Sequence, residues 1–215
     1  MSTRVDPDLL LELKDYGAVG AETCFNCGNC TALCPLTEDE HPFPRNMIRL
    51  AQLGLKDRIL ESTDPWLCYY CGDCAKSCPR QAEPGETMMA LRRWLTAQYD
   101  RSGHSARLYT SEKAVWYTIA RLSLITLAAF ILYHVVTGFD NVVTADVKLN
   151  TFAPVMIVWA LVLAHGAYLG YRMVSGSARM LKLVMAPITR ETEVPIRIYL
   201  EELKEFVVHF LTQKR

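Results

Sequence analysis

All eight cysteines of the chain belong to one spacing pattern that occurs twice. Each run has the form C-x2-C-x2-C-x3-C-P. The first run is Cys24, Cys27, Cys30 and Cys34 before Pro35, and the second is Cys68, Cys71, Cys74 and Cys78 before Pro79. No cysteine lies outside the two runs. The N-terminal half must therefore fold in a way that uses two equivalent groups of four thiols.

The spacing is that of the thiolates that bind 4Fe–4S clusters in bacterial two-cluster ferredoxins. Three thiolates on a tight loop surround one face of a cluster, and the proline after the fourth stops a helix there. In such domains the fourth cysteine binds the other cluster. We therefore predict one cluster on Cys24, Cys27, Cys30 and Cys78, and a second on Cys68, Cys71, Cys74 and Cys34. Gly28 and Gly72 follow the second cysteine of each run and allow close backbone approach.

Zinc sites and disulfides are the competing interpretations of these cysteines. A zinc site uses two C-x-x-C pairs set well apart, without a third cysteine at the same short step. Disulfides need an oxidising compartment, and the N-terminal MSTRVDPDLL has no apolar signal-peptide region. Structural clusters without redox turnover stay open as an alternative. Clusters that share ligand loops favour electron transfer.

Composition divides the 215 residues into three parts. Residues 1–110 contain every cysteine and most of the charge, which predicts a cytoplasmic domain with two 4Fe–4S clusters. Residues 111–176 are largely apolar and predict a membrane domain, and residues 177–215 form a cytoplasmic tail of mixed charge. The formal net charge is zero, so nothing in the charge indicates nucleic-acid binding.

Two apolar stretches, residues 115–139 and 151–171, are long enough to cross a lipid bilayer, which takes about 20 residues. Lysine and arginine gather before the first stretch and after the second, and the connecting segment 140–150 is short. The positive-inside rule then places both termini in the cytoplasm. We expect a multi-pass protein of the cytoplasmic membrane; a helical hairpin buried in a soluble protein is the alternative.

Apolar residues recur at helical spacing in the polar parts of the chain. The pattern predicts helices over residues 6–16, 43–61 and 86–99, with a break near Gly54. A further amphipathic helix begins at Pro195, and it could lie on the membrane, dock on a partner or pack on its own chain. The predicted fold is mainly α: a helical two-cluster ferredoxin-like domain, a transmembrane helical hairpin and a C-terminal amphipathic helix.

Three segments carry a family resemblance: C-F-N-C-G-N-C-T-A-L-C-P at 24–35, W-L-C-Y-Y-C-G-D-C-A-K-S-C-P-R at 66–80 and A-E-P-G-E-T-M-M-A-L-R-R at 82–93. Over about 20–100 the chain resembles the C subunit of heterodisulfide reductase, fused here to a membrane cytochrome segment. That combination is similar to the C subunit of the quinone-interacting membrane-bound oxidoreductase.

The resemblance implies two 4Fe–4S clusters in a helical domain, b-type haem in the membrane part and a menaquinone-type quinone as redox partner. It also implies partner subunits that resemble the flavin-containing A subunit of heterodisulfide reductase. The two predicted spans are fewer than members of that family usually carry. Complete haem and quinone sites are therefore not expected from this chain alone.

His134 lies in the first predicted span and His165 in the second. Imidazole is a usual axial ligand of haem iron, and ionisable groups are costly inside a bilayer. Counted from the outer loop, the two histidines differ in depth by about 13 Å, so we expect each to serve a separate haem. The alternative is a hydrogen bond to a neighbouring helix. Arg121 is a candidate quinone ligand, although such an arginine often only reaches the interface.

These features predict a component of a quinone-linked oxidoreductase complex rather than a complete enzyme, since no nucleotide-binding fingerprint or nucleophile–base motif is present. Electrons would pass between a soluble flavin or iron–sulfur partner and membrane (mena)quinone through two 4Fe–4S clusters, with b-type haem as a further candidate. The alternative function is a membrane-tethered ferredoxin, a docking module without quinone chemistry.

Overall fold

The computed structural model describes residues 4–38, 41–137, 155–191 and 195–212, and within these ranges the regular structure is helical. The helices are α1 (Leu9–Asp15), α2 (Asn29–Leu33), α3 (Arg45–Gln52), α4 (Lys56–Leu60), α5 (Asp64–Leu67), α6 (Asp73–Lys76), α7 (Pro84–Tyr99), α8 (His104–Thr110), α9 (Glu112–Thr137), α10 (Val155–Glu191) and α11 (Ile196–Thr212). A short 3₁₀ helix, Ala21–Thr23, precedes the first cysteine. The prediction of a mainly α fold is confirmed.

Helix α7 is the centre of the N-terminal domain, and α1, α3, α5 and α6 all pack against it. One apolar side of α7 is buried, with Met88, Leu91 and Leu95 fully removed from solvent. Trp94 is buried beside them, and its indole N–H donates to a Glu12 carboxylate oxygen at 2.8 Å. Burial of these large side chains is the main apolar contribution to the domain's stability.

The predicted break near Gly54 is confirmed, since α3 ends at Gln52 and α4 begins at Lys56. Gly54 has φ +67°, in the left-handed region that glycine adopts without strain. The Asp6 N–H donates to the Gly54 carbonyl at 2.8 Å, and the Lys56 ammonium pairs with Asp6 at 2.6 Å. This turn therefore attaches the N-terminal segment to the rest of the domain.

Helix α9 is long and apolar enough to cross a bilayer over Glu112–Val136, and among the described residues it alone meets that test of length and composition. Its apolar side chains, such as Leu124, Leu132 and Val136, are exposed. A long exposed apolar surface is unfavourable in water, which supports association with a membrane. The predicted outer loop and the start of the second span, within residues 138–154, lie outside the described residues.

Helix α10 is longer than the second span predicted for residues 151–171. It continues past Arg172 to Glu191, a length of 37 residues. The cationic residues after Tyr171 mark the end of the apolar run but do not end the helix, because charged side chains are compatible with helical backbone. Met180 and Leu183, in the added part, pack against the core of the N-terminal domain.

The predicted C-terminal amphipathic helix is confirmed as α11, which begins directly after Pro195. Its apolar residues, including Leu203, Phe206 and Phe210, are exposed, and no described residue of α11 is buried. Packing of α11 on its own chain is therefore not observed within the described residues.

We predict that Gly54→Ala destabilises the chain far more than Gly103→Ala does. Both glycines have positive φ. An added Cβ at Gly54 would lie 1.9 Å from the Asp6 carbonyl oxygen, whereas an added Cβ at Gly103 would have no atom within 4 Å. Backbone strain alone lowers the melting temperature of a small domain by about 5 °C, and the added clash should at least double that shift. The melting temperatures of the two variants are measured by circular dichroism during heating. Equal shifts would contradict the contact with Asp6.

Candidate metal centre

The two cysteine runs fold into loops with the same backbone conformation. Asn26 and Tyr70, at equivalent positions between the first and second cysteines, have φ +60° and +57°. Gly28 and Gly72, after the second cysteine, have φ +91° and +84°, and each directly precedes a short helix. Loops with left-handed residues can turn successive N–H groups to one side, an arrangement that binds anions. Each loop therefore combines three thiols with left-handed positions of the kind that such anion-binding loops use.

The thiols of the second loop share a cavity with one thiol of the first. Cys34, Cys68, Cys71 and Cys74 line this cavity together, and Phe43, Pro44 and Met88 contribute apolar walls. Helices α2 and α6, which follow the two loops, pack against each other. The fourth cysteine of the first run is thus beside the first three cysteines of the second run.

Burial raises the pKa of two thiols in this cavity, Cys74 and Cys34. Burial first, and then the neighbouring Cys68, Cys30, Cys71 and Cys34 thiols, raise the pKa of Cys74 to about 11. Burial also raises the pKa of Cys34, with smaller contributions from Cys68 and Cys71. Because thiolate is the metal-binding form, a bound cation would offset the cost of ionising these partly buried thiols.

One thiol of the first loop, that of Cys30, is affected in the same way. Burial raises the pKa of Cys30, and the nearby Cys24 and Cys27 thiols add to this effect, while a hydrogen bond with Thr31 opposes it. A cation bound at this loop would again be needed to offset the cost of a buried thiolate.

Two hydrogen bonds hold the segment around Cys78 against the first loop. The Asn29 amide donates to the Ser77 carbonyl at 3.3 Å. The Thr23 hydroxyl donates to the Arg80 carbonyl at 3.1 Å. Cys78 lies between these two acceptors in sequence, and its sulfur accepts the Ala82 N–H at 3.4 Å. The residues on either side of Cys78 are thus held against the first loop.

The described residues contain no group of three cysteine, histidine, aspartate or glutamate side chains placed to hold a single metal ion. A zinc ion needs four donors at about 2.0–2.3 Å from one centre. No such set of donors is found within the part of the chain that the structure describes. Thiols spread around a shared space suit the ligands of a cluster with several iron atoms.

Two polar side chains fix the loops, and sequence reasoning missed both. The Gln52 amide donates to the Cys24 carbonyl at 2.7 Å and to the Ala21 carbonyl at 3.1 Å. The Arg92 guanidinium donates to the Cys68 carbonyl and to the Trp66 carbonyl, the latter at 2.8 Å. Each loop is therefore anchored at its first cysteine by a donor from a core helix.

Tyr70 closes one side of the cavity of the second loop. Its hydroxyl hydrogen-bonds to the Glu86 carboxylate, which raises the pKa of Tyr70. Its ring lies against Gly85, where an added Cβ would be 3.4 Å from two ring carbons. This packing holds a tyrosine in a backbone conformation that side-chain-bearing residues rarely adopt.

The structure places the candidate haem and quinone ligands, which lie in the predicted membrane spans, in different surroundings. His134 on α9 is buried, with its ring 4.3 Å from the Phe130 ring and 5.2 Å from the Tyr133 ring, measured between centroids. His165 on α10 and Arg121 on α9 are exposed. Haem and quinone binding by these residues stay predictions.

Comparison with protein families identifies the fold of the cysteine-rich part. Residues 23–83 match the family model described as a 4Fe-4S dicluster domain. The chain carries an N-terminal 4Fe–4S dicluster domain. The eight cysteines and this domain support bound iron–sulfur clusters.

The dicluster domain is similar to named archaeal proteins. The chain is 35% identical over 88 residues to a protein of Archaeoglobus profundus that is named as like the C subunit of heterodisulfide reductase, covering 40% of this chain and 47% of the relative. It is 35% identical over 79 residues to the C subunit of the H(2):CoB-CoM heterodisulfide,ferredoxin reductase of Methanothermobacter marburgensis. This match covers 37% of the chain and 43% of that relative. It is 30% identical over 96 residues to the iron-sulfur C subunit of the CoB--CoM heterodisulfide reductase of Methanopyrus kandleri. This match covers 41% of the chain and 50% of that relative.

These matches confirm the predicted resemblance to the C subunit of heterodisulfide reductase in the dicluster domain. The chain spans about half the length of the curated relatives that it matches. No solved structure matches the chain with statistical significance.

We predict that Asn26→Val removes iron from the dicluster domain and that Asn26→Gly does not. Both variants lose the hydrogen bond from the Asn26 amide to Gln52, but glycine accepts φ +60° and a β-branched residue does not. Iron per chain, measured after anaerobic purification, should fall by about half in the valine variant as one cluster is lost. Equal iron contents would contradict a role for the left-handed backbone.

Proposed function

We propose that the chain is an electron-transfer subunit of a membrane-bound oxidoreductase. Electrons pass through two 4Fe–4S clusters between a soluble flavin or iron–sulfur partner and membrane (mena)quinone. The observation that carries this proposal is the cavity that Cys34 shares with Cys68, Cys71 and Cys74. Such an exchange of ligands brings two clusters close enough together to conduct electrons.

In this proposal Cys24, Cys27, Cys30 and Cys78 hold cluster 1, and Cys68, Cys71, Cys74 and Cys34 hold cluster 2. A bound 4Fe–4S cluster supplies one-electron oxidation and reduction. The protein supplies deprotonated thiols, backbone N–H groups from the left-handed loops, and apolar walls that exclude water. Hydrogen bonds and burial of this kind set the reduction potential.

The soluble partner is proposed from the relatives. Their names describe subunits of heterodisulfide reductases, so we assign this chain to a complex with other subunits of that type, including a flavin-containing one that resembles the A subunit. Phe25 in the first loop and Tyr69 in the second are exposed. Exposed aromatic residues beside the cysteines are suited to contact with a partner protein.

The membrane part of the proposal has two crossings, α9 and the apolar half of α10, with both termini in the cytoplasm. Helix α9 supports this by its length and composition. On α10 the exposed apolar residues Trp159, Leu161 and Leu163 precede the cationic Arg172. The distribution of lysine and arginine favours this orientation.

The haem and quinone residues proposed from the sequence remain His134, His165 and Arg121. Burial of His134 among aromatic rings is compatible with an axial ligand, whereas exposed His165 requires a neighbouring helix. Each haem would need a second histidine from another helix. Arg121, exposed on α9, would offer its guanidinium to a quinone oxygen.

Quinol oxidation distinguishes this function from a membrane-tethered ferredoxin. We expect menaquinol to bleach the cluster absorbance of the 215-residue chain, loaded anaerobically with clusters and embedded in lipid nanodiscs. Dithionite, a soluble reductant, reports the total reducible clusters in the same sample. Reduction by dithionite alone would contradict quinone chemistry and support the ferredoxin function.

A reduced-minus-oxidised spectrum of the chain, purified from its native membranes together with its partner subunits, tests for haem. We expect b-type bands, with one band lost in His165→Ala and a different one lost in His134→Ala. A spectrum without b-type bands would remove haem from the proposal and leave the cluster function intact.

A further inference from the structure

A second cavity lies where α10 meets the dicluster domain. It has a volume of about 650 Å³, which is within the range of sites that bind small molecules. Its walls come from α5, the end of α7, the turn after α7, the start of α8, and α10. Along α10 the lining extends from Tyr168 to Met180, about 18 Å of helix. The cavity therefore begins at the end of the apolar half of α10.

Flat aromatic and thioether groups form much of the lining. Trp66, Tyr99, Tyr168 and Tyr171 contribute rings, and Met173 contributes a sulfur. Such groups favour a planar ring of low polarity, because aromatic surfaces stack and thioethers adapt to irregular shapes. The lining thus predicts a ligand with a flat ring of low polarity.

One guanidinium is fixed in this lining. Arg172 donates to Asp100 and to the Ser102 hydroxyl, both at 2.8 Å, and to the Tyr168 hydroxyl at 3.2 Å. Three of its five N–H groups are used in these bonds, and two remain to bind an oxygen of a ligand. Arg172 is therefore a positioned donor rather than a mobile surface charge.

Asp100 is the group that positions Arg172. Its side chain is 9% exposed and also accepts hydrogen bonds from Ser102 and Ser105. Burial alone would raise the pKa of Asp100, but the hydrogen bonds from Ser105 and Ser102 together lower it well below its usual range. A carboxylate that is charged at neutral pH offsets the charge of Arg172, so the pair attracts a neutral carbonyl oxygen better than an anion.

The cavity is connected to the second cysteine loop through Trp66. This residue lines the cavity and is two positions before Cys68. Arg92 donates to the carbonyl of both residues, and its guanidinium carbon is 6.0 Å from the centre of the Trp66 ring. One cation therefore fixes the wall of the cavity and the first ligand of the proposed cluster 2.

We propose that this cavity binds the ring of a membrane quinone, with Arg172 donating to a ring carbonyl and Trp66 lying between the ring and cluster 2. The inference rests on the proposed function and gives it a site other than Arg121. Oxidation of a bound quinol breaks two O–H bonds and releases two electrons and two protons. The electrons pass singly to cluster 2 and onward, and the protons leave to solvent. Quinone reduction is the reverse.

The first test fills the cavity without removing a polar group. Gly176 lines the cavity, and an added Cβ there meets no atom within 4 Å, as is also true of Gly170, which does not line it. Leucine favours a helix more than glycine does, so neither Gly176→Leu nor Gly170→Leu should unfold α10. We expect Gly176→Leu to slow cluster reduction by menaquinol about tenfold or more and Gly170→Leu to leave it unchanged.

The second test removes the donor. Arg172→Gln should also slow reduction by menaquinol about tenfold or more, whereas Arg179→Gln, the same change on the same helix outside the cavity, should not. Reduction by dithionite should be equal in all four variants, which shows that the clusters are loaded and the chain is folded.

The outcomes distinguish failure of the proposed quinone site from failure of the proposed quinone function. If menaquinol reduces the wild-type chain and neither Gly176→Leu nor Arg172→Gln slows it, the site is overturned and the quinone function stands. If menaquinol does not reduce the wild-type chain, both are overturned. If Arg172→Gln weakens binding of phosphatidylglycerol vesicles but leaves quinol oxidation unchanged, the cavity binds lipid headgroups and the proposal is wrong.

Discussion

In the proposed ligand assignment, the N-terminal domain depends on the exchange of one cysteine between two equivalent loops. Cys34 lies in the cavity of the second loop, and contacts of Asn29 and Thr23 hold the segment around Cys78 against the first loop. With this assignment each loop needs one cysteine of the other run to complete its four ligands, and the packing of α2 against α6 is consistent with it. Because buried thiols resist ionisation, binding of iron–sulfur clusters and formation of the domain are expected to be coupled.

Helix α10 joins this domain to the apolar part of the chain. Met180 and Leu183 pack on the domain core, and Arg172 pairs with Asp100 at 2.8 Å. A helix that is continuous across this boundary fixes the distance between the dicluster domain and the proposed membrane segment. In the proposed function, that fixed distance keeps cluster 2 near the quinone, because the rate of electron transfer falls steeply with separation.

The features that the sequence predicts correctly are those with strong local signals. Cysteine spacing predicts the two loops, and apolar periodicity with a glycine predicts α3, α4 and their break at Gly54. The left-handed backbone at Tyr70 has no local signal, because packing on Gly85 and the bond to Glu86 enforce it from elsewhere in the chain. In the sequence Arg92 is one of several charges before a predicted membrane span, yet it anchors Cys68. The length of α10 exceeds the prediction because the end of an apolar run marks a change of environment and not the end of a helix.

The exchange of ligands is tested most directly by electron paramagnetic resonance of single cysteine-to-serine variants, reduced anaerobically. The account predicts that Cys34→Ser perturbs the same cluster signal as Cys71→Ser, and that Cys78→Ser perturbs the same signal as Cys27→Ser. If Cys34→Ser instead alters the signal that Cys27→Ser alters, each run holds its own cluster and the exchange is wrong.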